Sequence, residues 1–526
     1  MKKYILNTLM CGVLALGVSG CTEKYMDINS NPYEPGDLTA DDYALGSAMN
    51  NLAGTVVSSD VNTAQFTDAL LGGPCGGYFA HANAGWATTI SNFNPTDDWT
   101  NVFLKSDKII PVLYQNLTQV EQVSESTENP VPFAIATIIK VLAMSRVTDA
   151  YGPIPYTKIG EDGKVTVPYD SQETIYDTFF KELDEAIATL SENRSSALVA
   201  TADYVYSGNV QQWIKFANSL KLRLAMRIAY ANLTKAKEMA ESAVKQEFGV
   251  IESNADNAAW NYFGSLTNPL YTCINYNAQD TRPAADIICY MNGYNDNRRS
   301  AYFKNDEGSW GDELVGVRRS IDLAAVGGEN LTKYSSINIS ANDPIQWMNA
   351  AEVAFLCAEG VAVFGFDMGG TAKDFYEQGI RLSFEQWGAS GADEYIEDDQ
   401  SVPETYIDPA GLNSYTATIS DITIKWDESA STEEKQERII TQKWIANWML
   451  GNEAWADYRR TGYPRLMPAT AAGNKSGGIV DSNRGARRMP YPSDENSSNY
   501  ENVQYARDHY LNGQDNMATD VWWACK

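Results

Sequence analysis

The side chains of this sequence best suited to chemistry sit in two stretches rich in Gly and Asn and at one cysteine near its start. "LGGPCGGYFAHANAGW" (71–86) carries Tyr78, Phe79, His81, Asn83 and Trp86 with no helical spacing to bury them. "NYFGSLTNPLYTCINYNAQDTRP" (261–283) adds Tyr262, Phe263, Tyr271, Asn275, Tyr276, Asn277 and Arg282. A sugar ring offers an apolar C–H face that packs on an aromatic plane, and hydroxyl edges that pair with Asn, Asp and Arg, so this mix suits a polyhydroxylated ligand. Tyr78, Phe79, Asn83, Trp86, Tyr271, Asn275, Tyr276 and Arg282 are the candidate ligand residues, with packing inside the loops competing for each ring.

The cysteine is Cys21. Lys2 and Lys3, the apolar run from Leu9 to Val18, and the small residues Ser19 and Gly20 form the three parts of a secretory signal. Val18-Ser19-Gly20-Cys21 reads as a lipobox, in which diacylglycerol is joined to the Cys21 thiol and cleavage after Gly20 leaves Cys21 as the first residue and the membrane anchor. The competing reading is an ordinary secretory signal with an incidental cysteine beyond the cut. The run is shorter than the roughly 20 apolar residues of a spanning helix, and each buried acyl CH₂ contributes about 0.8 kcal/mol. Residues 21–526 are therefore expected to form a single domain in water, held to a membrane by lipid alone, with no second apolar run of spanning length.

Other chemistry is missing from the sequence. It contains no GxxxxGK[ST] phosphate loop, no HExxH, no GxSxG and no GxGxxG after a strand, so no catalytic residue is assigned. Two histidines (His81, His509) and five cysteines beyond Cys21, none in CxxC spacing, give no zinc or haem site, and no cofactor or metal is expected. Cys357 reads as a small buried hydrophobe, and a Cys273–Cys289 disulfide stays open. Asp27-Ile-Asn29-Ser-Asn31 begins like a calcium loop, but Pro32 and Leu38 stand where Gly and a bidentate Glu are needed. Asp97-Asp98 has the residue types of a glycosidase pair but reads as a solvated turn before a helix. The formal net charge of -28, about −30 without residues 1–20, repels nucleic acid and anionic lipid and leaves neutral or cationic ligands.

The elements that must position these residues are mostly helical. Between 171 and 190, Ile175, Phe179, Leu183, Ile187 and Leu190 share one face, with Asp170 and Glu173 in capping-box spacing. Further helices are expected over about 99–117, 132–149, 210–231, 234–247, 349–365, 371–387, 434–450 and 453–460, with only short β-hairpins beside them. Trp213, Phe216, Ala217 and Leu220 reproduce the spacing of a tetratricopeptide first helix, Ala372, Tyr376 and Gly379 that of a second, and Ala236, Ala240 and Ala243 repeat the offsets with small side chains. The predicted fold is a mostly α scaffold of tetratricopeptide-like helix pairs, with long aromatic-rich irregular tracts at about 60–97, 250–345, 388–432 and 464–526.

Five segments then take on a common meaning. "RVTDAYGPIPYT" (146–157), "QQWIKFANSLKLRLAMRIA" (211–229), "AEVAFLCAEG" (351–360), "YEQGIRLSF" (376–384) and "IITQKWIANWMLGNEAWADYRRTGYPRL" (439–466), with the opening "CTEKYMDINSNPYEP", resemble the SusD/RagB-like nutrient-binding outer-membrane lipoproteins of Bacteroidetes. The resemblance implies a helix-pair scaffold whose variable loops form the ligand face. It also implies capture of oligosaccharide or another nutrient, such as peptide, at the cell surface, and delivery to a SusC-like TonB-dependent transporter on which the lipoprotein sits as a hinged lid. A glycan-degrading lipoprotein and a helical adaptor that binds only protein are the rival classes. Trp444, Trp448, Trp455, Tyr458 and Arg459 read as a packing cluster with the arginine stacked or paired, and Gly152, Pro153 and Pro155 as a rigid turn.

Overall fold

The structure, a computed structural model, describes residues 40–100, 103–104, 108–160, 166–196, 198–261, 266–276 and 279–526, with side chains described at all of these except 40–43, 98 and 99. Cys21, the leader before it, the 27–31 segment, Tyr262, Phe263 and Asn277 lie outside the described residues.

Helices start where the sequence supplies caps. In chain order the longer ones are α1 (Ala40–Ala53), α2 (Ile110–Ser126), α3 (Val131–Tyr151), α4 (Gln172–Glu192), α5 (Val210–Arg227) and α6 (Leu233–Val244). They continue with α7 (Pro269–Ile274), α8 (Ala285–Gly293), α9 (Ala350–Phe364), α10 (Ala372–Gln386), α11 (Thr432–Ala446), α12 (Gly451–Thr461) and α13 (Tyr500–Tyr510). Asn209, Asn232, Asn349 and Thr371 each accept from a backbone N–H of the first turn, and Ser431 with Glu434 closes a full capping box. α4 is capped by Ser171, which accepts from Thr174 N at 3.1 Å, and not by Asp170. Asp170 instead ties down the turn at Tyr156 and Thr157.

Two other expectations are corrected. The 99–117 helix is divided into Asp97–Thr100 and α2, because Pro111 belongs in a first turn, where its fixed φ and missing N–H cost nothing. A second segment of spanning length does exist: α3 is long and apolar enough to cross a membrane, yet nearly all of it is buried in the fold, Arg146 and Asp149 included. The tracts expected to be irregular also contain α7, α8, α13 and a π-helix over Gln65–Gly72.

Neighbouring helices pack in sequence, α2 to α6 as one series and α9 against both α10 and α11. Every residue of the tetratricopeptide-like spacing is buried. Gly379 shows why a small residue is needed there: a Cβ on it would meet the Phe355 ring at 2.7 Å. Strands are short and paired antiparallel, β1 (Phe79–His81) with β3 (Thr281–Pro283), β2 (Ala258–Trp260) with β6 (Ile345–Met348), and β4 (Phe303–Lys304) with β5 (Ser336–Ile337).

A buried ionic lattice joins four of the five motif segments. Arg223 on α5 forms a two-pronged pair with Glu352 on α9, both bonds at 2.7 Å, and Arg227 pairs with Glu453 on α12. Glu359 on α9 holds Arg460 through two 2.8 Å bonds, and Asp457 takes Lys443 at 2.8 Å and Arg460 at 3.1 Å. Asp149 accepts from Tyr176 Oη at 2.6 Å and Trp523 Nε1 at 2.8 Å. Burial alone would raise the Asp457 pKa, but Lys443, Arg460 and Arg227 together outweigh it and hold the carboxyl well below the ordinary range. Arg459 lies 3.6 Å above the Trp455 ring, the stacking expected of it, and burial lowers its pKa to about 9.

Candidate functional site

The Gly-rich stretch divides into a packing half and a surface half. Gly73, Gly76 and Gly77 sit so close to their neighbours that side chains would collide: a Cβ on Gly73 would lie 2.1 Å from the Phe79 ring, and one on Gly76 would lie 2.6 Å from Gly451 O. This close approach drives the next two rings inward. Tyr78 stacks on Trp444 and donates to Trp444 O at 2.5 Å, and Phe79 meets Trp448 edge-on at 5.5 Å. Both rings are buried, so we withdraw Tyr78 and Phe79 as ligand platforms: their faces are spent on the motif tryptophans.

From His81 onward the chain turns outward. Pairing of β1 with β3 sets Ala80 opposite Arg282 and His81 opposite Thr281, which brings the two candidate stretches together. Asn83 Nδ2 then lies 3.4 Å from Asp280 Oδ2, and Asn83 Oδ1 accepts from Gly85 N at 2.8 Å. Trp86, half-buried, stacks on His81 at 4.8 Å. Burial lowers the His81 pKa to about 4, so at neutral pH the ring beneath Trp86 carries no charge.

The second stretch divides similarly. Asn268 caps α7, and Asn275 closes it by donating to Tyr271 O at 2.8 Å, which gives Asn275 a structural bond on an exposed side chain. Tyr271 is half-buried, and Tyr276 is 52% exposed, the most accessible of the expected rings. Arg282 is buried and donates to Tyr334 O, Ser336 Oγ and Thr332 O, so it fixes β3 against β5 rather than meeting solvent. It too is withdrawn as a contact residue, and burial lowers its pKa.

Sequence reasoning missed the third ring of this region. Trp310, 36% exposed, sits with Lys333 Nζ 5.2 Å over its face, and its backbone N–H donates to Lys333 O at 3.0 Å. Its signal was present in "EGSWGDE", a lone Trp among turn formers inside a tract already marked as irregular. Between these loops runs a polar line: Ser336 Oγ donates to Gln279 Oε1 at 2.5 Å and reaches Asp306, and Gln279 Nε2 lies 3.4 Å from Asp306. The 406–415 hairpin adjoins it, with Asp408 accepting from Tyr334 Oη at 2.5 Å and Ile407 and Leu412 exposed at its tip. Trp86, Tyr276 and Trp310 thus sit on loops tied to one strip of short strands, beside carboxylates and amides. Such a surface can bind and orient a ligand. Cys273 and Cys289 are free thiols, so no disulfide braces it.

The model of the Susd and RagB outer membrane lipoprotein family matches residues 27–524, nearly the whole chain. The chain is a SusD-like protein. Its fold resembles a SusD homologue from Bacteroides uniformis, with 69% identity and a TM-score of 0.90 over 92% of this chain and 100% of that one. A SusD homologue from Bacteroides thetaiotaomicron is 40% identical with a TM-score of 0.85, covering 92% and 99% of the two chains. A chitin-binding SusD homologue from Flavobacterium johnsoniae is 34% identical with a TM-score of 0.84 over 92% and 99%. A search of curated proteins finds no match. This SusD-like protein therefore belongs to a non-catalytic family of outer-membrane lipoproteins, in agreement with the expected mostly helical fold and the lack of catalytic motifs.

Proposed function

We propose that this SusD-like protein, anchored to the outer membrane through acylated Cys21, binds oligosaccharide on the loop face and hands it to a SusC-like TonB-dependent transporter. The mature chain from Cys21 to Lys526 acts as a single nutrient-binding domain at the outer face of the membrane. The observation that carries the reading is the setting of Trp86, Tyr276 and Trp310: accessible rings beside Asn83, Gln279 and Asp306, on loops braced from below by Arg282 and His81. Aromatic faces would take the C–H faces of successive sugars, and the amides and carboxylates their hydroxyl edges. A solvated surface of this kind supports micromolar to millimolar affinity, roughly −4 to −8 kcal/mol, which suits capture followed by release. Chitin binding by the Flavobacterium relative supports a glycan as ligand.

The test is calorimetry of the protein against a panel of neutral oligosaccharides and peptides, alongside Trp86→Ala, Tyr276→Ala and Trp310→Ala. Oligosaccharide binding that each variant weakens is the expected result. Binding of peptides alone, or glycan binding that none of the three changes, would overturn the assignment. Cys21 is tested separately by incorporation of labelled palmitate, which Cys21→Ser should abolish.

A further inference from the structure

Beside α7, whose cap Asn268 and residue Leu270 line it, the body of the protein encloses a cavity of about 380 Å³. None of Trp86, Tyr276 and Trp310 lines it. Its walls come from the π-helix over Gln65–Gly72, the start of α12, strand β6 and the end of α10, and it opens beside the exposed residues Asn338, Asp343 and Pro344. A space this large holds far more than one or two structural waters and falls within the range of small-molecule sites.

Four polar atoms on the wall are buried without a hydrogen-bond partner among the described residues: Gln346 Nε2, Trp347 Nε1, Gln386 Oε1 and Trp387 Nε1. The two glutamines satisfy each other only once, Gln386 Nε2 donating to Gln346 Oε1 at 2.9 Å, and Trp347 is just 2% exposed. Buried polar groups are almost always paired, and several unpaired ones around one cavity call for something to fill it. The backbone points the same way. Met449, on the same wall, holds a φ of 78°, a conformation that disfavours any residue but Gly, and π-helical turns such as the one carrying Asp68 recur at functional sites.

The lining also limits what can enter. Its buried charged groups are already paired, Asp68 with Arg146 at 2.5 Å, Arg223 with Glu352 and Glu453 with Arg227, so a charged ligand inside would have to break an ion pair; Asp343, at the exposed mouth, accepts from Ser340 N. Three of the four unpartnered atoms are donors, which calls for acceptor oxygens on the ligand. The remaining wall includes Val56, Val57, Leu142 and Ile339, which calls for an apolar portion.

We propose that this cavity is a second ligand site, separate from the loop face, that takes one neutral N-acylated sugar. Its carbonyl and hydroxyl oxygens accept from Trp347, Trp387 and Gln346, and its acyl methyl lies against the apolar wall. The site stands whether or not the loop face binds glycans.

The experiment titrates the full-length mature protein with N-acetylglucosamine and follows the indole N–H resonances, assigned by Trp347→Phe, Trp387→Phe, Trp86→Phe and Trp310→Phe. Saturable shifts of the Trp347 and Trp387 signals are expected, with little response to cationic glucosamine at mildly acid pH. Trp347→Phe keeps an aromatic side chain while removing the indole N–H donor, and Gln346→Leu removes the amide. Each should weaken binding at the cavity, read from the Trp387 resonance, by about five- to tenfold. Because folding of the variants can be lost, the wild-type resonance shift stands as an independent readout. No saturable shift at Trp347 and Trp387, shifts confined to Trp86 and Trp310, equal binding of glucosamine, or a soaked crystal with only ordered water in the cavity would each overturn the proposal.

Discussion

The core and the loop face use the same residue types to opposite ends. In the core, Arg223, Arg227, Lys443 and Arg460 are spent on Glu352, Glu453, Asp457 and Glu359, each partner buried and held by another helix. On the loop face, Asp306 is a third exposed, sits among Ser336 and Gln279 with Arg282 3.7 Å away, and has accessible rings on the loops beside it. The core tryptophans Trp444 and Trp455 are buried among the helices, whereas Trp86 and Trp310 each have one face backed by His81 or Lys333 and remain partly open. What decides a residue's role here is whether its partners come from the fold or are left for a ligand.

The sharpest way to test that contrast is to break one ion pair. Glu352→Ala removes the two-pronged partner of the buried Arg223 guanidinium and leaves it only Glu453, 3.6 Å away and already held by Arg227; this should destabilise the protein by about 3–5 kcal/mol in urea unfolding, whereas Trp310→Ala should cost no more than about 1 kcal/mol. Equal losses would erase the distinction between the regions.

Acid is the next probe. The His81 pKa falls from its ordinary 6.5 to about 4 in the fold, so between these values the unfolded chain binds more protons and stability drops as pH falls. The loss approaches about 3 kcal/mol, and it should appear as a pH-dependent difference between wild type and His81→Phe across that window, since the variant has no imidazole to protonate. Asp457 has the same sign lower down. Its pKa is depressed, so its stabilisation is complete above the ordinary carboxylate range and drains away as pH falls further, a loss that Asp457→Asn should not show.

Packing gives a smaller effect. Gly379→Ala pushes a methyl into Phe355 and should cost about 1–3 kcal/mol without changing ligand affinity. The smallest stability change belongs to Trp86→Ala, below about 1 kcal/mol, but it should weaken oligosaccharide binding roughly tenfold in calorimetry, since a stacked ring is worth about 1 kcal/mol or more.

Helix periodicity, caps and the small-residue offsets at Gly379 and Ala240 were readable because they depend on neighbours a few positions away. The candidate ligand residues were readable only in part. Tyr78 and Trp86 lie eight positions apart in the same Gly-rich segment, and nothing local says that Trp444, far along the chain, takes the first and leaves the second. Arg282 has the chemistry of a ligand contact, but its role is set by β5, which the sequence does not announce. Trp310 escaped because a single ring in a turn-rich segment has no period to mark it. The ion lattice was equally hidden: Glu352 and Glu359 stand seven residues apart on one helix face, yet their cationic partners come from two other segments.

The pairing of β1 with β3 joins stretches whose contact residues Asn83 and Asp280 lie 197 positions apart. A chain still being synthesised, and halted anywhere before Thr281, would present the Trp86 loop with no companion strand to hold it. On the proposed reading, ligand capture needs residues from both halves of the chain, and a clipped fragment ending before Thr281 would lack the strand that holds the Trp86 loop.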